Sequence, residues 1–453
     1  MSRLYEAHAY DAAHWPASHW RAAGPLPPAG AGALHGGSRA DAVIIGAGYA
    51  GLNAALELAE AHGMAVTLLE AAAPGWAASG RNAGFVCLGG TVLDSDAIAA
   101  RTGAQGVRDW AAFAEAAIDR VAENLDRHGI DARQGPQGEL CLAHDAGFWD
   151  RMQHAALPAG ARLMPPAALR EAGHAAPGFH GGVMLPAGFP VDPMAYAGGL
   201  ARAALDAGVR LHSRSPVLAV EPAPGGWRVR CATGHVTTPR VLIATNGYGE
   251  DDLPPALAGR RLPVLTSILV TRPLGMAERA AQGWTSHAMA YDSRRLLHYF
   301  RLLPCGRFLF GMRGGLSAGP AGFERARRRV RAHFEALFPA WAGVETETIW
   351  SGLACATASG APFAAAIPGH PGLFAAFGWH GNGVAAASEA GRRVARAMAG
   401  APHGLPELLR ALPPRFPLPA LRRLWLALAY ARYGLADGPL RTAGMVDSRG
   451  RGR

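Results

Sequence analysis

The strongest constraint on this chain is a run of spaced glycines, Gly46-Ala-Gly48-Tyr-Ala-Gly51, set between a short apolar segment and a helical pattern. Asp41-Ala-Val-Ile-Ile45 reads as a buried strand. Tyr49 to His62 carries apolar residues at helical spacing (Leu52, Ala55, Leu56, Ala59), and Val66-Thr-Leu-Leu69 reads as a second strand closed by Glu70. Strand, tight turn, helix and strand make a right-handed βαβ unit. Gly46 permits the turn, Gly48 lets the backbone approach a pyrophosphate, and Gly51 lets the helix pack against the sheet. The helix start, with Tyr49 and Ala50, offers free N–H groups and a partial positive charge to an anion. Glu70 is placed to accept hydrogen bonds from an adenosine ribose and to repel a 2′-phosphate.

Composition narrows the classes. At 453 residues the chain is too long for one compact core. The formal net charge of +10 invites a nucleic-acid reading. All the basic residues are arginine, however, and they are scattered; the densest run, Arg325 to Arg331, reads as the solvated face of a helix. With no lysine, a Schiff base to a lysine side chain is excluded. The five cysteines form no C-x-x-C pair, so neither a metal site nor a redox dithiol is indicated, and their sparse use fits a reducing cytoplasm. No stretch reads as a signal peptide or a membrane span.

Residues 1–38 read as an arm and linker; Trp15 and Trp20 suggest that the arm docks on the body. Residues 96–160 carry a helical stripe (Trp110, Phe113, Ala117, Val121). Residues 190–253 return to alternating helix and strand, and 262–315 alternate in strand fashion. Two α/β stretches flanking such a sheet imply interleaved domains: an α/β fold with a Rossmann-like part and an α+β part built on a mixed or antiparallel sheet.

The segment after Glu70, Ala77-Ala-Ser79-Gly80-Arg81-Asn82-Ala-Gly84, is small, polar and glycine-rich. It resembles the Gly-Ala-Ser-Gly-Arg-Asn-Gly-Gly run of the glycine/D-amino-acid oxidase superfamily of FAD enzymes, in its gamma-glutamylputrescine oxidase branch. Further stretches resemble the same family in the same order: Ser215-Pro-Val217, Ala244-Thr245-Asn246-Gly-Tyr248, Trp350-Ser-Gly-Leu353 with Thr357, Trp379-His380-Gly381-Asn382-Gly383-Val384, and Phe416 to Arg423. The resemblance implies noncovalent FAD, with Ser79, Gly80, Arg81 and Asn82 along its flavin side. It also implies adenine against the Val217 backbone, Thr245 and Asn246 closing the dinucleotide fold, and the helix after Gly383 pointing at the flavin. It divides the chain into an FAD-binding domain (39–95, 160–252, 350–412), a substrate domain (96–159, 253–349) and a tail (413–453).

The resemblance implies hydride transfer from the carbon beside an amine nitrogen to flavin N5, imine hydrolysis, and reoxidation by dioxygen. Amino-acid-oxidising members place an arginine after Trp-x-Gly-Leu to clamp the substrate carboxylate; here Ala354 occupies that position and cannot form the bidentate pair. The expected substrate is therefore an amine, or one whose carboxylate lies far from the reacting carbon. Arg313 and Arg301 are alternative clamps, and Tyr299 and His380 are pocket candidates. Three other readings stay open: a dehydrogenase passing electrons to a quinone or carrier, a flavin protein without turnover, and an aromatic hydroxylase.

Overall fold

The computed structural model describes residues 3–440; the last part of the expected 413–453 tail lies outside the described residues. β1 (Ala42–Ile45) and β2 (Val66–Leu69) are buried at every position, as strands covered on both faces must be. They pair in parallel inside a six-stranded sheet with the order 363–366, 373–377, 241–243, β1, β2, 210–212. Only the edge strand Phe363–Ala366 runs antiparallel. Between β1 and β2 runs α1 (Tyr49–Leu56), which continues into a wider turn over Glu57–Ala61. Gly46 bends at φ +106°, and a Cβ on Gly51 would meet the Gly46 carbonyl oxygen at 1.9 Å, so this helix packs at a distance only glycine allows.

The stripe from Trp110 to Val121 forms part of α2 (Ser95–Arg127), whose apolar face joins the core above the six-stranded sheet. The helix expected over 96–160 ends there. β3 (Glu139–Leu142) interrupts it, because Leu140 and Leu142 are drawn into a different core from that of α2.

β3 belongs to an eight-stranded mixed sheet with β4 (Leu262–Thr271), β5 (Met289–Asp292), β6 (His298–Leu302), β7 (Phe308–Arg313) and β8 (Thr346–Ala356). The order is β8-β4-β7-β6-β5-β3, followed by Gly182–Leu185 and Arg162–Met164. β3 and β5 pair in parallel and the other neighbours are antiparallel. Strand membership moves the expected boundaries: the strands near 162 and 185 and most of β8 belong to this sheet, while α2 packs with the nucleotide core. Leu140, Leu142, Ala290, Phe300, Phe308 and Phe310 face a core closed by α3 (Pro320–Leu337). In that helix Val330 and Phe334 are buried, while Arg325, Arg327 and Arg328 are exposed. The alternate residues face the opposite way, and they floor the candidate site.

Candidate active site

A cavity of about 520 Å³ lies between the end of β1 and that opposite face of the eight-stranded sheet, within the range of roughly 300–1,000 Å³ usual for small-molecule and cofactor sites. Its nucleotide end is built mostly by backbone. Gly46, Gly48, Tyr49 and Ala50 line it where α1 begins. Glu70 lines it too, and both of its oxygens already accept backbone hydrogen bonds, from Ala47 N–H at 2.8 Å and from Ala72 N–H at 3.0 Å. The carboxylate thus ties the strand tip to the glycine turn and leaves its remaining lone pairs for a sugar. Burial raises its pKa, and the backbone donors oppose that shift.

Ser79 stands over the helix start and accepts from Tyr49 N–H at 3.1 Å. A Cβ on Gly48 would lie 2.9 Å from that hydroxyl, so the cradle has room for nothing larger than glycine. The Tyr49 hydroxyl and the Asn82 amide both donate to the Ser79 carbonyl, fixing the loop from below. Gly51 and Gly80 stand behind the wall, each packed against a backbone carbonyl. Val217, Thr245 and Asn246 line the cavity. Ser215–Val217 lies in a loop rather than opening a strand, because the strand begins at Ala219. Asn246 adopts φ +47° and accepts from Gly378 N–H at 3.0 Å, joining two loops at the sheet's end.

Arg81 is stacked on Trp76 at 4.2 Å and donates from Nε to the Trp76 carbonyl at 2.6 Å. Its Nη2 is buried with no partner. An unpaired guanidinium N–H costs free energy unless an acceptor reaches it. On the far side Gly381, Asn382, Gly383 and Val384 line the wall as α4 (Val384–Ala399) begins. α1 and α4 pack so closely that a Cβ on Gly391 would touch the Ala50 carbonyl at 2.2 Å. Two helix N-termini therefore open on one cavity. Paired positive dipole ends, a glycine cradle and an orphan guanidinium donor suit a bulky anionic dinucleotide.

The remaining floor is made of side chains. Ladder partners point the same way, so Glu139 on β3, Tyr291 on β5, Tyr299 on β6, Arg313 on β7 and Thr266 on β4 share one face, and all five line the cavity. Ala354 on β8 also lines it and presents only a methyl group. Arg313 donates from Nη2 to the His380 carbonyl at 2.9 Å.

Two expected pocket residues are elsewhere. Arg301 shares the Tyr299 face yet is fully buried under the 83–84 loop, donating to the carbonyls of Ala83 and Val191 and to Gln134 Oε1. Burial lowers its pKa to about 9. It does not line the cavity, and although its Nη1 is buried with no partner, its other donors tie the Ala83 and Val191 carbonyls and Gln134 together, so it holds the wall. The His380 ring turns to Thr357 Oγ1 at 3.3 Å and does not face the cavity; burial, reinforced by Arg313, lowers its pKa to about 4.

The residue reading missed Glu139, Tyr291 and the arm residues Arg3 and Tyr10, all of which line the cavity. Trp20 of the same arm is fully buried and donates to the Asn82 carbonyl at 2.8 Å. The only signal for Glu139 is an acid opening the alternating run Glu-Leu-Cys-Leu.

The family model described as DAO, FAD dependent oxidoreductase, matches residues 41–397. This chain belongs to the DAO family of FAD-dependent oxidoreductases. The DAO chain is 32% identical to a probable oxidoreductase OrdL of Rhizobium meliloti over 89% of its own length and 94% of the relative's. It is 28% identical to the gamma-glutamylputrescine oxidoreductase of Escherichia coli over 88% and 92%. Its fold matches that of glycine oxidase from Geobacillus kaustophilus with a TM-score of 0.66 at 21% identity, covering 81% of this chain and 96% of that one. As a DAO member it is an oxidoreductase whose cofactor is FAD, and the cradle described above fits that group. Among the described residues no helix is long and apolar enough to cross a membrane.

Proposed function

We propose that this DAO-family protein is an amine oxidase. It takes a hydride from the carbon beside a substrate nitrogen, the resulting imine is hydrolysed, and dioxygen is the final acceptor, giving hydrogen peroxide. Bound FAD supplies the two-electron acceptor. The α1 turn, Ser79 and Arg81 would hold its diphosphate part, Glu70 its adenosine sugar, and the start of α4 its flavin part. The FAD is noncovalent: the Cys355 thiol lies in the core behind the sheet, the His380 ring faces away from the cavity, and the Cys87 thiol, which does line it, is hydrogen-bonded to Asn382 Oδ1 at 2.9 Å and held protonated by burial. The apolar walls and the docked arm exclude water while Tyr299 and Tyr291 hold the substrate against the sheet.

The observation that carries the amine reading is Ala354, a bare methyl on the cavity wall where an amino-acid carboxylate would need a paired cation. The 28%-identical relative that acts on gamma-glutamylputrescine supports the same substrate class. The purified protein, offered a panel of alkylamines, glycine and simple D-amino acids in air, should release peroxide with amines. Faster release with glycine or D-alanine would overturn the reading. One observation favours a second substrate type: Arg313 lines the cavity and uses its guanidinium on only one carbonyl, which suits a carboxylate distant from the reacting carbon.

A further inference from the structure

One acidic side chain on the sheet face has no charged partner among the described residues. Glu139 opens β3, is 3% exposed, and lines the cavity. Among the described residues it forms no ion pair. Every group that faces it is neutral: the Cys87 thiol, the Cys141 thiol on its own strand, and the Tyr291 hydroxyl on β5. Burial raises all three far out of the neutral range. Among the described residues the Cys87 thiol is the one hydrogen-bonding side chain at Glu139, and it is shared with Asn382 Oδ1 at 2.9 Å, while Asn382 spends its amide on the Leu88 carbonyl. The strand on the other side of β3, Gly182–Leu185, contributes no titratable group.

Contrast this with the other buried acids. Asp292 is met by His298 at 2.6 Å and Arg294 at 2.7 Å, and Glu389 by Arg392 and Arg393, each at 2.6 Å; Glu70 and Asp192, which form no ion pair among the described residues, each accept two backbone N–H hydrogen bonds. Those carboxylates are compensated inside the fold. Glu139 is not, and an ionised carboxylate left unpaired in an apolar wall is expensive enough that it needs a partner from elsewhere or must hold a proton.

We propose that Glu139 recognises the cationic nitrogen of the substrate, so that the preferred substrate is an alkylammonium ion whose charge docks on β3 of the cavity floor. This rests on the amine-oxidation reading. The arrangement also handles the proton that must leave before a hydride can. An ammonium N–H bond breaks, its proton forms an O–H bond on the Glu139 carboxylate, and the electron pair stays on nitrogen as the lone pair of the neutral amine. Burial raises the Glu139 pKa to about 8, so the carboxylate is ionised and free to take up this proton above about pH 8.

The test uses a cation that cannot be oxidised. tert-Amylammonium has no hydrogen on the carbon beside nitrogen, and tert-amyl alcohol is its neutral isostere. Calorimetric titration of the flavin-loaded protein at about pH 9, where ammonium and carboxylate are both charged, should show the cation bound at least about tenfold tighter than the alcohol. Below about pH 8 the cation's affinity should fall by about tenfold per pH unit, because Glu139 must release a proton to pair. Glu139→Gln should bind cation and alcohol alike at every pH.

A retained cation preference in Glu139→Gln, or no preference in the wild type, overturns the proposal. So does a variant with altered melting or flavin spectrum but unchanged preference, which would mark a structural role. Should the variant not fold, the wild-type pH dependence decides alone. The two readings fail separately. A wild type that oxidises no amine refutes amine oxidation, whereas n-amylamine turnover with KM unchanged in Glu139→Gln refutes only the assignment of Glu139.

Discussion

The two ends of the cavity are made differently. The nucleotide end is backbone: a glycine turn, two helix starts, and a carboxylate clamped by two amides. The sheet end is side chains from separate strands, where Glu139, Tyr291, Tyr299 and Arg313 converge only because ladder partners point the same way. A backbone cradle tolerates almost any sequence that keeps its glycines, and it recognises what all its ligands share, the diphosphate. A side-chain floor can be rewritten one residue at a time without disturbing the cradle, and we assign substrate choice to it.

The largest effect should separate the ends most sharply. Gly51→Val pushes a side chain into the Gly46 carbonyl, which a Cβ alone would meet at 1.9 Å. We expect purified Gly51→Val to be colourless, with no visible flavin band after incubation with excess FAD. A yellow, active variant would show that α1 need not pack this closely. Arg301→Met should act on the wall and not on the ligand. Leaving the Ala83 and Val191 carbonyls without a donor should cost about 3 kcal/mol of stability in denaturant unfolding. KM of the surviving enzyme should be unchanged; a raised KM would return Arg301 to the pocket.

Legibility followed the same division. The β1–turn–α1–β2 unit was readable because its signals are local: Gly spacing, an apolar run on each side, an acid at the strand tip. The loop carrying Ser79, Arg81 and Asn82 was readable for the same reason. Arg301 and His380 were misplaced because sequence gives the face of a strand but not what covers it. Arg301 does share the Tyr299 face, and the 83–84 loop lies over it. Glu139 went unseen because four residues of strand followed a long helical stripe, and its partner β5 lies far along the chain. Nothing near Glu139 in sequence announces that β5 will pair with it.

Smaller effects sharpen the contrast. Glu70→Ala removes two charge-assisted acceptors, and the weaker turn should bind FAD about 10- to 100-fold less tightly by fluorescence titration, with amine KM unchanged once flavin is saturating. Arg313→Ala should weaken amines bearing a distant carboxylate by about tenfold and leave plain alkylamines within about twofold, as steady-state KM values would show. A separate effect is on the stability of the flavin-free protein. The folded Glu139 pKa of about 8 lies above its ordinary value of 4.5, so folding favours the protonated form. That contribution is complete below the ordinary value and is lost as pH rises through about 8. Melting curves across this interval should therefore show the wild type losing ground steadily to Glu139→Gln; parallel curves would mean that the carboxyl is not buried.

The most direct measurement is an anaerobic titration of the flavin-loaded protein with n-amylamine and, separately, with glycine, following the visible flavin band. An amine-oxidising site with a bare Ala354 wall predicts rapid bleaching by the amine and little by glycine. Bleaching by glycine at the faster rate, or no bleaching by any amine, would contradict it.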